Sequence, residues 1–175
     1  MFGFYKRAQA ETNVQLQLEQ ITQELQERFG PLSRLLWQDP YLLGYAHIVI
    51  GALLKDQNPG NVSQELVGMQ LNRRLAAFTG LEPQYFVHGI DALIRENNAS
   101  FTKGSDDGAL WFLLVTGRGR PSDSRVAEAM ALSKDSARLY ELAKDEHMPP
   151  MASAAAHVYE RDLISRVQSI LKEAA

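Results

Sequence analysis

The sequence contains no cysteine among its 175 residues. This absence excludes disulfide bonds, thiolate metal sites and cysteine nucleophiles, and it suits a reducing compartment. We therefore expect a cytoplasmic protein whose fold no disulfide stabilises.

The sequence also has no excess of charge of one sign. Its 18 Lys and Arg residues against 21 Asp and Glu residues give a net charge of −3. Such a balance provides no overall field to hold a polyanion, so contact with nucleic acid would need a local basic patch.

Long hydrophobic runs are absent as well. The longest, YLLGYAHIVIGALL at residues 41–54, contains His47 and is shorter than the ~20 residues that cross a bilayer. We therefore expect no membrane association, and we interpret the run as a buried helix with His47 as a core histidine. Gly44 and Gly51 lie seven residues apart on one side of this helix, where they would let a neighbouring helix approach closely.

Most catalytic signatures are missing: no GxSxG elbow, no phosphate-binding GxxxxGK[ST] loop, no GxGxxG after a strand and no HExxH pair. His157 and Glu160 share a helical face, but di-metal helices carry the reverse order on two helices, so we interpret this pair as a salt bridge or a solvated face. The sequence therefore predicts no metal site and no cofactor, and it favours a non-enzymatic protein over an enzyme.

The features that are present point to an α-helical fold. With 45% hydrophobic and 22% charged residues, the chain can bury a core, and its length fits one domain. Apolar residues recur at helical spacing throughout, which predicts an all-α, single-domain bundle of about seven helices around the buried central helix at 41–54. Residues 1–9 are interpreted as a flexible N-terminal arm.

Helix boundaries are marked by local signals. Gly30-Pro31 and Gly80 are typical of helix ends, whereas Asp39-Pro40 and Glu82-Pro83 are typical of helix starts. The run ALWFLLV at 109–115 is compatible with a buried strand or a short helix. Capping oxygens at 105–107 and the absence of a partner strand favour a helix that begins there.

Two features predict contact with a protein partner. Val14, Leu18, Ile21 and Leu25 form a narrow helical stripe, which is compatible with a dimer seam but also with packing onto the protein's own core, the interpretation we favour. Phe101 lies in the polar run NNASFTKG and belongs to no apolar helical stripe. This position predicts an exposed aromatic side chain that contacts a protein partner.

The segment TGRGRPSD at 116–123 is the sharpest local motif. Arg118 and Arg120 on a glycine loop before a helix could bind phosphate or carboxylate through their guanidinium groups and free backbone N–H groups. The negative charge of Asp123 would repel such an anion. The same sequence also fits a surface turn whose arginines pair with Asp106 or Asp107.

Residues 126–140 resemble a helix-turn-helix, with a turn near 131–133 and with Lys134 and Arg138 on the second helix. The segment departs from that motif because Ala131 stands where a glycine usually opens the turn. One continuous helix explains the same letters.

Three functional expectations follow. The first is a non-enzymatic helical interaction or adaptor module that associates with a protein partner or with itself as a homodimer. The second is a DNA-binding protein that uses the 118–140 segment. The third is an enzyme or ligand-binding protein that holds an anionic group at the 117–123 loop.

Overall fold

The computed structural model describes residues 21–32, 34–57, 64–135 and 150–173. These residues form helices and no strand, which confirms the all-α prediction. The elements in chain order are α1 over 21–29, a 3₁₀ helix Arg34–Gln38, α2 Pro40–Gln57, α3 Gln64–Thr79, α4 Pro83–Arg95, α5 Ala99–Val115, α6 Ser124–Asp135, α7 Pro150–Val158, a π-helical segment Tyr159–Ile164 and α8 Ser165–Glu173.

The chain divides into two compact units, unit 1 at Met1–Ser105 and unit 2 at Asp106–Ala175. Helix α5 begins in unit 1 and ends in unit 2. The single-domain organisation remains a prediction, and the arm at 1–9 lies outside the described residues. In the described ranges, none of the helices has the length and apolar content needed to cross a membrane.

Helix boundaries in unit 1 follow the capping chemistry of the sequence. The Asp39 carboxylate accepts hydrogen bonds from the backbone N–H groups of Tyr41 and Leu42, both at 3.1 Å, and so begins α2. Gly30 and Gly80 adopt φ values of +74° and +70° and end α1 and α3, because glycine enters the left-handed region without strain. These predicted boundaries are confirmed.

Helix α2 supplies much of the core of unit 1. Its buried side chains are Tyr41, Leu42, Leu43, Tyr45, Ala46, Val49, Ile50, Leu53 and Leu54. The 3₁₀ helix adds Trp37, whose ring packs edge-on against Phe78 of α3 with the ring centres 4.7 Å apart. Burial on nearly every side explains why this run shows little amphipathic periodicity.

The contact between α2 and α5 is a backbone contact made by two glycines. A methyl group at Gly44 would overlap the carbonyl oxygen of Phe101, and one at Gly104 would overlap the carbonyl oxygen of Tyr41. The Ser105 hydroxyl donates a hydrogen bond of 3.3 Å to the Gly44 carbonyl. The predicted close approach is thus confirmed at Gly44, whereas a methyl group at Gly51 would meet only the side chain of Leu71 at 4.0 Å.

Helix α5 begins earlier than predicted. Asn97 adopts φ of +49°, and the side-chain oxygen of Asn98 accepts a 3.0 Å hydrogen bond from the N–H of Phe101, so the helix begins at Ala99 rather than near 105. The choice of helix for 109–115 is confirmed. The prediction for Phe101 is corrected: it joins a helix and is 5% exposed.

In unit 2, α6 packs against α7, and the chain continues from α7 through the π-helical segment into α8. Apolar side chains in this stretch step by five residues, from Val158 to Leu163 and from Tyr159 to Ile164, and all four are buried. A π turn brings residues i and i+5 together, so it keeps both sets on one face where an α-helix would rotate them apart.

Candidate functional site

Helix α4 is held in unit 1 by a narrow buried stripe. Phe86 and Ile90 are 1% and 5% exposed, and α4 packs against α3 across the three-residue connection 80–82. Burying two such side chains contributes at most about 3–6 kcal/mol, which docks the helix through one face and leaves the others uncovered.

The uncovered part of α4 carries large apolar side chains. Val87 is 43% exposed and Ile94 is 52% exposed, and their spacing of seven residues places them on one stripe. We call these two residues the α4 stripe. Tyr85 is 36% exposed, and its ring lies edge-on to that of Phe86. Asp91 is exposed four residues after Val87 and three before Ile94, so a carboxylate lies on the same face of α4 between the two apolar side chains.

In the sequence, Tyr85, Phe86, Ile90 and Ile94 recur at helical spacing and form one apolar pattern. The two outer residues are nine positions apart, about two and a half turns, and so lie on opposite sides of the helix. This excess width was the available signal that part of the pattern remains exposed.

The backbone N–H groups of the predicted anion loop are engaged in ending α5. Gly117, at φ of +67°, donates to the carbonyl of Leu114 at 3.1 Å, while Arg118 and Gly119 donate to the carbonyl of Leu113 at 2.9 and 3.0 Å. This is the Schellman arrangement of a helix C-terminus. An anion at this loop would therefore depend on side chains and on backbone N–H groups other than those of residues 117–119.

The N-terminus of α6 is likewise occupied by a residue of the chain itself. The Asp123 carboxylate accepts hydrogen bonds from the N–H groups of Arg125 at 2.9 Å and of Val126 at 3.4 Å. Asp123 is thus the N-cap of α6. The side chains of Arg118 and Arg120 are exposed, and their contact with an anion stays a prediction.

The helix-turn-helix interpretation of 126–140 is corrected. Helix α6 runs without a break from Ser124 to Asp135, so there is no turn at 131–133. Lys134 lies on this helix, and Arg138 lies outside the described residues. The reason is local: Ala131 continues a helix where a glycine would end it.

The stripe predicted as a dimer seam is buried where it is described. Ile21 is 6% exposed and Leu25 is 0% exposed within the chain, which confirms packing onto its own core and removes these two residues from a partner surface. Val14 and Leu18 lie outside the described residues.

Unit 2 holds a network of charged side chains that sequence reasoning did not assemble. Asp107 of α5, with a side chain 5% exposed, accepts a 3.0 Å hydrogen bond from the guanidinium of Arg125. Arg161 donates two hydrogen bonds of 2.7 Å to Asp162. This bond raises the pKa of Arg161; burial opposes the rise, and the charges of Asp107 and Glu128 add to it.

The Arg125–Asp107 hydrogen bond joins α6 to α5, whereas Arg161 and Asp162 pair with each other within the π-helical segment. Across the described ranges, no group of three or more His, Asp or Glu side chains is arranged to hold a metal ion.

Comparisons with family models, with curated proteins and with solved structures gave no match for this chain.

Proposed function

We propose that this protein is a helical protein–protein interaction module of the cytoplasm that acts as an adaptor and associates with itself through the α4 stripe. The observation that carries the proposal is the exposure of Val87 and Ile94 on one side of α4, a helix with only a narrow buried face. Large apolar side chains grouped on one surface are typical of association sites, because covering them removes apolar area from water.

A helix face is a suitable platform for self-association. Two copies related by a two-fold axis present the same surface to each other, so each apolar side chain contributes twice to the interface. The seven-residue spacing of the stripe matches the repeat by which helices pack side by side.

The two other functional expectations receive less support from the geometry. A DNA-binding role at 118–140 loses the turn that would separate a recognition helix, because α6 is continuous to Asp135. An anionic ligand at 117–123 loses the N–H groups of residues 117–119, which donate to carbonyls at the end of α5. The first N–H groups of α6 donate to the Asp123 carboxylate. The absence of cysteine supports the cytoplasmic location.

Light scattering after size exclusion tests the proposal on the full chain, with and without duplex DNA at low and moderate salt. We expect the mass of a dimer, unchanged by DNA at either salt concentration. A monomer at all protein concentrations would contradict self-association. Co-migration with DNA that weakens steeply with salt would instead support nucleic-acid binding.

A further inference from the structure

His47 lies at the contact between α2 and α5. It follows Gly44, whose backbone touches the Phe101 carbonyl, by three residues, and its own ring centre lies 5.8 Å from the Phe101 ring centre at a tilt of 45°. Phe101 is buried, whereas His47 is half-buried. One turn of α2 therefore meets the first turn of α5 twice, through a glycine backbone and through an ionisable ring.

The surroundings of His47 disfavour its charged form. Burial lowers the pKa of His47 from its ordinary value, and the carboxylate of Asp91 on α4 opposes this effect. The Asp91 side chain is exposed, so water screens its attraction. The other described charged or titratable side chains on α2 and on the elements around it are Arg34, Tyr41, Tyr45, Lys55, Arg73, Arg74, Tyr85, His88, Arg95, Lys103, Asp106 and Asp107.

The neighbouring cation on α5 is engaged elsewhere on α2. The Lys103 ammonium lies 5.7 Å from the centre of the Tyr41 ring, a cation–π arrangement. Asp91 is thus the charged group that acts on His47 in favour of protonation.

We propose that protonation of His47 loosens the packing of the first turns of α5 on α2, which makes unit 1 a proton-sensitive element of the fold. A charged imidazole needs water or a close carboxylate, and the half-buried site of His47 provides partial access to water and an exposed carboxylate on another helix. The charged ring regains hydration when it moves toward solvent, and this movement withdraws it from Phe101.

The direction of the pH effect follows from linkage. In the unfolded chain His47 titrates near about 6.5, and in the folded chain it titrates at lower pH. The stability that neutral His47 provides is fully present at pH values above the pKa of His47 in the unfolded chain. This stability is lost as the pH falls through the pKa of His47 in the folded chain. Each unit of difference between the two pKa values lowers the folding equilibrium constant about tenfold.

Urea unfolding of the full chain at about pH 7.5 and about pH 5, on either side of the ordinary histidine pKa, tests the proposal. We expect the acid-induced fall in the unfolding midpoint to be smaller in His47→Gln than in the wild type. His88→Gln, which removes an exposed histidine of the same unit, is the matched control and should keep the wild-type fall. An equal fall in all three proteins would overturn the proposal.

Two further readouts separate this role from a general loss of structure. Asp91→Asn removes the carboxylate that favours protonation, so the acid-induced fall should become larger than in the wild type. In the wild type, amide exchange corrected for its intrinsic pH dependence should rise over residues 99–105 on acidification. Unchanged protection there, or a smaller fall in Asp91→Asn, would overturn the proposal even if His47→Gln does not fold.

Discussion

Asp107 combines burial with a charge that is paired to an exposed partner. Its side chain is 5% exposed and its partner Arg125 is 44% exposed, so one member of the ion pair lies inside unit 2 and the other reaches solvent. Removing the outer member leaves the buried carboxylate without this guanidinium, whereas removing the charge of the inner member leaves a neutral polar group.

This asymmetry predicts a specific pattern of stabilities. Arg125→Ala should lower the free energy of unfolding by about 1–3 kcal/mol, the usual cost of depriving a buried polar group of a partner. Adding Asp107→Asn to Arg125→Ala should restore part of the loss, because no buried charge then remains. Arg120→Ala, at an exposed loop position, is the control and should stay within about 0.5 kcal/mol of the wild type. Urea denaturation measures all four proteins, and an Arg125→Ala variant as stable as the control would contradict the account.

At the scale of elements, the contact between α2 and α5 depends on the absence of two side chains. A methyl group at Gly104 would meet the backbone of α2 rather than the end of a flexible side chain, so neither partner can yield without shifting a helix. Gly51 of α2 has ordinary space around it.

Alanine at these two glycines should therefore have opposite effects. Gly104→Ala is expected to lower the free energy of unfolding by about 1–3 kcal/mol through overpacking. Gly51→Ala is expected to raise it by about 0.5–1 kcal/mol, because alanine loses less backbone entropy in a helix. Thermal or urea unfolding distinguishes the two signs, and a Gly104→Ala variant at least as stable as Gly51→Ala would show that the helices are not in backbone contact.

Boundaries set by adjacent residues could be predicted from the sequence. Asp39, Gly30 and Gly80 each act through bonds or backbone angles within one turn, and their helix starts and ends are confirmed. The predicted start of α5 was wrong because Asn98 caps the helix within a polar run, well before the capping oxygens at 105–107. The π-helical segment was missed because its five-residue steps look like a gap in a four-residue pattern.

The width of the apolar pattern on α4 indicates that part of it is exposed, but the identity of the exposed residues required information that no local pattern holds. Periodicity predicts that α4 is amphipathic, but which of its apolar residues are covered depends on where α3 and its neighbours lie. Phe101 shows the converse case: it was predicted to be exposed, yet it is buried because Gly44 and Gly104 bring α2 within backbone contact of α5. At the scale of the whole molecule, exposure is decided by packing between distant segments.

Self-association through the α4 stripe is the central claim, and sedimentation equilibrium over a dilution series tests it most directly. The comparison uses the wild type, Val87→Ser/Ile94→Ser, and Leu132→Ser as a control at an apolar side chain of α6 that is 39% exposed. The account predicts a dimer for the wild type and the control. For the double variant it predicts a Kd raised by more than about tenfold, because a symmetric dimer loses each side chain twice and about 1.4 kcal/mol corresponds to tenfold. Equal dissociation constants for the three proteins, or monomers throughout, would contradict the claim.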